Sequence, residues 1–396
     1  MTKQKTNRHR RAAAFMAIAA LSAAACGGSS EDAAPQTTAT ATETTSTTEV
    51  ATTTTLPPEP ELNPSGLEPA TFIALGTADE IDLVRYLGAG ADGVWVSVRG
   101  NDDNDQPSRA VLLDPEAEVV LLDVAVSGRA GPVAVSERAG WFANGVTNTV
   151  SRVDAASGEV VEIADARCVA ADATTVWTGD FLSAYRVDEV TGQPTGDAAT
   201  ISIDITGAAA GSMDPAFEAY MTDAATDGAA HGCSAQMIVA GGHLWIPSAS
   251  GPSLAQFDAT SGQMLAFHGL GELGQARALV GVDGGVWVFA QSDDSGAIVT
   301  SAWLVSNDGT IAAQNELGFV SGWTGQAFAA DGYVVIETTE GPADGTGTKN
   351  VYLLDPATAE LVGQTSTELV HTFGVAAAEG KLFFSTDSPY GVQVFE

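Results

Sequence analysis

RALVGVDGGVWV, residues 277 to 288, decides how this chain folds. Small and apolar residues from Ala278 to Val282 make one short run, Gly284-Gly285 interrupts it, and Val286-Trp287-Val288 begins another. Two short β-prone runs joined by a Gly turn describe a hairpin, and no helical period passes through them. The phrase recurs. It appears as GADGVWV ending at Val96, SERAGWF ending at Phe142, ADATTVWT ending at Thr178 and AGGHLWI ending at Ile246. Looser copies follow as ADGYVVI over 330–336 and AEGKLFF over 378–384, making seven with the quoted stretch.

The reference positions Trp95, Trp141, Trp177, Trp245, Trp287, Val334 and Phe383 are 46, 36, 68, 42, 47 and 49 residues apart. Five of these six intervals fit the period of about 40 to 50 residues that one propeller blade needs. Frequent Gly and strict alternation exclude a solenoid of helices. Within a unit four strands are expected: an inner Ala/Val/Gly strand, the Trp strand, a third strand ending in Asp, and a fourth such as 159–163. The turn before the fourth reads DAASG at 154–158, DEVTG at 188–192, DATSG at 258–262 and DPATA at 355–359, with looser DPEAE at 114–118 and SNDGT at 306–310. An Asp that accepts backbone N–H groups, followed by Gly at positive φ, suits a tight hairpin. Repetition at successive units favours that turn role for these Asp residues over calcium binding or catalysis.

The last unit stops at its third strand, residues 391–396, while Thr71-Phe72-Ile73-Ala74-Leu75 precedes the first inner strand without a partner of its own. Pairing the two closes a ring and hides both edges. The expected fold is therefore all-β: a seven-bladed β-propeller of four-stranded blades over residues 69–396, closed by an N-terminal strand that completes the C-terminal blade. The 68-residue interval carries an insertion over 208–233, in which Asp214-Pro215 opens a short helical turn.

Composition narrows the function classes. The net charge is -34, and five of the 16 basic residues lie before Cys26, leaving eleven against 50 acids in the remainder. A surface so acidic repels nucleic acid, which is excluded as a partner. Residues 1–25 combine a basic start with the apolar run 12–25, too short for a bilayer span of about 20 residues, and read as a signal peptide. Residues 26–68 are rich in Thr, Ser, Glu and Pro and too poor in bulky apolar side chains to offset ordering entropy, so a disordered tether is expected.

Two resemblances follow from these residues. LSAAAC at 21–26 resembles the bacterial lipoprotein signal, although Ala23 stands where that family prefers Leu. The resemblance implies lipidation of Cys26, a membrane anchor and an extracytoplasmic location. Inner strand, Gly turn, VWV strand and D-x-x-S/T-G hairpin together resemble the YVTN, PQQ-like and streptogramin-lyase-like propeller repeats over residues 69–396. That resemblance implies the fold and no single activity, since it covers binding scaffolds and enzymes alike.

Candidate site residues come from position in the repeat. Loops entering the inner strands and loops joining second to third strands share one face of a propeller, at one mouth of its central channel. Arg85, Arg167 and Arg277 each fall ten residues before the reference position, and Arg129 and His371 fall twelve before theirs. Such a collar would hold a carboxylate, phosphate or anionic sugar by fork-shaped hydrogen bonds; the competing reading is ion pairing between blades. Cys168 and Cys233 stand at the entrances of consecutive inner strands, and a disulfide between them is expected in an oxidising compartment. Asn101 to Asp105 and the histidines lack the spacing of a metal site, and no G-x-S-x-G elbow marks a nucleophile. No cofactor or metal is expected. The functional expectation is a non-catalytic, membrane-anchored lipoprotein with a monomeric head that binds an anionic small molecule, a glycan or a protein. The alternative is a quinoprotein-like or streptogramin-lyase-like enzyme. The D-x-x-S-G turns lack the downstream Trp of quinoprotein repeats, and no His/Glu pair at lyase-like spacing stands out.

Overall fold

Among the described residues of the computed structural model, twenty-eight strands form seven antiparallel sheets of four. The structure describes residues 68–101, 106–144, 146–179, 183–195, 201–202, 237–247, 253–269, 275–294, 297–317, 323–330, 332–340, 348–367, 374–387 and 389–396. The chain divides into residues 1–56 and 57–396, and all described residues belong to the second part. The signal peptide, most of the tether, and the insertion at 208–233 with its expected helical turn lie outside the described residues. Blades one to six comprise residues 81–126, 133–164, 168–202, 238–269, 275–316 and 323–367, and blade seven comprises residues 375–395 with the strand Pro69–Ala74. Each inner strand touches the inner strands of the blades on either side, from the first blade round to the seventh and back. The result is a seven-bladed β-propeller.

The opening stretch forms the first hairpin of blade five. Gln275–Val282 pairs with Gly285–Asp294, placing Val280 opposite Trp287 and Val282 opposite Gly285. Gly284 takes a φ of +90°, and a Cβ on Gly285 would stand 2.3 Å from the carbonyl oxygen of Val305 in the third strand. The turn therefore needs both glycines: one for its backbone conformation, the other for the approach of the next strand. Trp95, Trp141, Trp177, Trp245 and Trp287 are all fully buried between sheets.

The Asp turns have a common geometry. Asp258 Oδ1 accepts from the backbone N–H groups of Thr260 (3.1 Å) and Ser261 (2.6 Å) and from Ser261 Oγ (2.7 Å). Asp154, Asp188 and Asp355 repeat this pattern, and Asp114 keeps its two backbone bonds. Gly158, Gly192 and Gly262 then adopt left-handed φ values, and Glu118 and Ala359 do so where the repeat has lost its Gly. The turn geometry survives that loss because the Asp bonds hold the preceding residues.

These turns also clasp neighbouring blades, which the repeat pattern does not reveal. Trp177 Nε1 donates to the carbonyl of Ala259 (3.0 Å), Trp287 Nε1 to that of Pro356 (2.7 Å), Arg152 Nε to that of Glu189 (2.7 Å) and Gln256 Nε2 to that of Asn307 (2.8 Å). Every acceptor lies in the Asp turn of the following blade. Arg152 is only 1% exposed, lies over the Trp141 ring at 5.9 Å, and forms an ion pair with Asp154 at 3.2 Å. A buried guanidinium needs such a complete set of partners. Its sequence signal is the R-V-D that opens the turn, repeated at Arg186-Val187-Asp188.

Ring closure follows the pairing expected from the chain ends. Ile73 pairs with Val392 and Ala74 with Gly391, while Glu68 and Glu396 exchange backbone hydrogen bonds at 3.0 and 3.1 Å. Gln393 Nε2 donates to the carbonyl of Thr71 at 2.9 Å. Ile73 and Leu75 are buried with Val392, Val394 and Phe383 of blade seven and Val94 and Val96 of blade one. Lys381 reaches Glu118 at 2.6 Å and Glu396 at 3.1 Å, tying the seventh blade to the Asp turn of the first.

Acid sensitivity follows from the turns. Hydrogen bonds from the Thr191, Ser261 and Ala357 backbone N–H groups hold the carboxyls of Asp188, Asp258 and Asp355 below the usual range. The Ser306 hydroxyl, with Thr310, lowers Asp308 to about 2. A depressed folded-state pKa gives stability that is present above the unfolded value, near 3.9, and is lost as pH falls through the folded value. The urea midpoint is expected to hold from pH 7 to about 5 and to fall between about pH 4 and 2. The double variant Asp188→Asn/Asp258→Asn should flatten that fall. An unchanged pH profile in the double variant would show that the turn carboxylates do not drive it.

Candidate functional site

The seven inner strands converge on a cavity of about 890 Å³ at the centre of the ring. Its wall includes Tyr86–Ala89, Pro132–Val135, Val169–Ala171, Met237–Gly241, Leu279–Asp283, Ala327–Ala330 and Val375–Ala377. Small side chains are required here because the strands are closest together at the axis: a Cβ on Gly281 would stand 2.6 Å from the Ala240 Cβ of the neighbouring blade. Val133, Val135, Val169, Met237, Ile238 and Val282 are half-buried, packed between sheets on one side and lining the cavity on the other. Among the described residues that line it, Asp283 is the one that carries a charge.

Every blade runs outward through four antiparallel strands, so all seven inner strands run in one direction along the axis. Residues upstream of the cavity wall therefore lie at one end of the channel. On four blades an Arg stands there: Arg85 directly before Tyr86, Arg129 three residues before Pro132, Arg167 two before Val169 and Arg277 two before Leu279. Arg129 is exposed, Arg85 and Arg167 are half-buried, and none of these three is among the cavity-lining residues. Each of the three already has an interaction partner in the fold. The Arg167 backbone N–H donates to the carbonyl of Gly179 at 2.6 Å, and the Arg85 carbonyl accepts from Ser385 Oγ of blade seven at 3.1 Å. For Arg277 only the backbone placement, in Gln275–Val282, is described. His371 lies outside the described residues.

The arginine end also carries acids, with Asp79, Glu80 and Asp165 exposed and Asp387 half-buried; the other end of the channel is more acidic still. The turns between first and second strands carry exposed Asp92, Glu137, Asp283 and Glu379 and half-buried Asp172, against exposed Arg138. Asp172 is partly used locally, its Oδ1 accepting from the backbone of Thr174 (2.9 Å) and Thr175 (2.8 Å). These acids were missed as a group by sequence reasoning, although each sits inside a copy of the hairpin phrase, beside the Gly or turn residues. What was lacking was the knowledge that all these turns share one mouth.

Other sequence candidates are less defined. Cys168 begins the inner strand of blade three and is 9% exposed, whereas Cys233 and Cys26 lie outside the described residues. Of the acidic loop, residues 102–105 are also outside them, and Asn101 Nδ2 donates to the carbonyl of Ala78 at 3.0 Å. Among the described residues, no group of three or more His, Cys, Asp and Glu side chains stands together in a metal-binding arrangement. His268 contacts Gln256 Oε1 at 3.1 Å and packs against Trp245, and burial pushes its pKa down. It lies at the seam of blades four and five, away from the channel.

No family model matches this chain, and no curated protein matches it. Solved structures of similar shape exist. The β-propeller domain of Cps50 (Swd1) from Myceliophteria thermophila has a TM-score of 0.56 at 14% identity, covering 83% of this chain and 99% of that one. Hydrazine synthase of Kuenenia stuttgartiensis has a TM-score of 0.53 at 13% identity, covering 81% and 98%. BamB from Moraxella catarrhalis has a TM-score of 0.46 at 16% identity, covering 83% and 99%. At such identities the likeness of the first two is one of fold alone, and this chain's own residues must carry the functional argument.

Proposed function

We propose that this chain is an extracytoplasmic lipoprotein, anchored through Cys26 and tethered by residues 26–68, whose propeller head binds an anionic ligand at the arginine mouth without transforming it. The observation that supports this reading is positional. Four of the eleven basic residues after Cys26 stand just upstream of the cavity wall, at one end of the channel, on an otherwise acidic protein. The Cys168–Cys233 disulfide belongs to the same proposal, as a staple between the insertion and blade three.

Two measurements test it. The intact mass of protein extracted from membranes should correspond to a chain beginning at Cys26, carrying lipid and lacking two thiol hydrogens. A chain without lipid defeats the anchor, and one with all thiols free defeats the disulfide. Calorimetric titration with citrate should show binding to the wild type that weakens about tenfold or more in Arg129→Ala/Arg167→Ala, the effect of losing charge-assisted hydrogen bonds. Equal affinity in the two proteins would remove the arginines from the site.

A further inference from the structure

The channel offers more than its mouth. We infer that the preferred ligand is a long-chain carboxylate, held with its head at the arginine end and its alkyl chain along the channel. This inference rests on the proposed anion site and names the ligand class for it.

Three features lead to it. First, the wall directly below the arginines is dominated by Val, Ala, Leu, Met, Ile and Gly, and its volume of about 890 Å³ falls in the range of small-molecule sites. Free backbone edges of the inner strands also face the axis, so water shares the space with an alkyl chain. Second, charge is ordered along the axis. Arg85, Arg129 and Arg167 stand upstream of the wall, with Asp79, Glu80 and Asp165 at the same end, and Asp283, itself in the wall, lies at its far end among the carboxylates of Asp92, Glu137 and Glu379. A carboxylate head is favoured at the arginine end over the end where Asp283 stands, which sets the direction of the ligand. Third, depth matches length. The wall runs four to five residues along strands such as Tyr86–Ala89 and Leu279–Asp283, roughly 13 to 16 Å at the rise of a strand, the extended length of about ten to twelve methylenes. A small hydrophilic anion would use the arginines and leave the apolar wall wet. A cationic amphiphile would have to invert the charge order.

The test uses the full chain produced without lipid as Cys26→Ser, titrated calorimetrically below the micellar limit with decanoate, dodecanoate, dodecylammonium, acetate and citrate. Dodecanoate is expected to bind more tightly than decanoate, by up to about fourfold for each added methylene that is fully buried. Arg129→Ala/Arg167→Ala should weaken it about tenfold or more. Ala329→Trp, at an exposed position that lines the cavity, should occupy the channel and abolish the chain-length dependence while citrate binding persists. Ala89→Trp serves the same purpose from blade one should the first variant fail to fold. If citrate binds with arginine dependence and dodecanoate binds no better than acetate, the anion site stands and this inference is overturned. If neither citrate nor dodecanoate binds, both readings fall. Tighter binding of dodecylammonium than of dodecanoate also overturns it.

Discussion

A protein that begins at residue 76, and so lacks the strand Pro69–Ala74, is expected to lose its cooperative monomeric fold, compared with one that begins at residue 57. Removing the strand exposes the backbone edge of Tyr390–Phe395 and strips cover from Val392 and Val394, which pack with Ile73 and Leu75. Each large apolar side chain is worth about 1.5–3 kcal/mol on burial, and each lost strand hydrogen bond about 1 kcal/mol. The total, on the order of 5 kcal/mol or more, approaches the whole stability of an ordinary domain. The seam between blades seven and one also depends on that strand, because Glu118, which clamps Lys381, is further held by Thr71. The truncated chain should elute as aggregate or oligomer and melt without a sharp transition. A peptide spanning residues 66–76 should restore the monomer by supplying the missing edge partner. A truncated protein that is monomeric and melts with the longer one would refute closure by this strand.

Trp287→Ala is expected to destabilise the fold by about 3–5 kcal/mol. Trp287 is fully buried between blades five and six, in a cluster with Phe289, Val334, Ile336, Tyr352 and Leu354. Truncation leaves a cavity the surrounding strands cannot close, because each is held in register by its own ladder. It also removes the donor to the Pro356 carbonyl at 2.7 Å. Trp287→Phe separates the contributions: it keeps most of the packing and leaves that carbonyl short of a donor, for a cost of about 1–2 kcal/mol. Urea midpoints would measure both. Equal midpoints for the Phe variant and the wild type would show that the clasp to the next blade adds nothing beyond packing.

Much of this fold was legible because its information is local and repeated. Gly284 beside Gly285 signals a turn at five or six residues' range, and Asp258 followed by Thr260 and Ser261 signals its own hydrogen bonds. Even the long-range pairing of residues 69–74 with 390–395 was readable, since a unit one strand short and a strand without a unit have one economical solution. The clasps between blades were not readable. Nothing near Trp177 in the chain points to Ala259, 82 residues away, and Arg152 looks like a surface residue until Glu189 is brought against it. The site was less legible: arginine spacing put Arg85, Arg129 and Arg167 at one end of the channel, where none of them lines the cavity, and the acids of the other end and the apolar wall appeared only with the ring.

The amino-acid sequence by itself determined the number of blades, the hairpins within them and the strand that closes them, because these signals act over a few residues and recur, the hairpin phrase in seven units and the Asp turn in six. Tertiary structure decided which side chains bury between sheets, which carbonyl each buried donor meets, and how charge is ordered along the axis. Those outcomes depend on seven sheets meeting around one channel, a geometry that no single repeat contains.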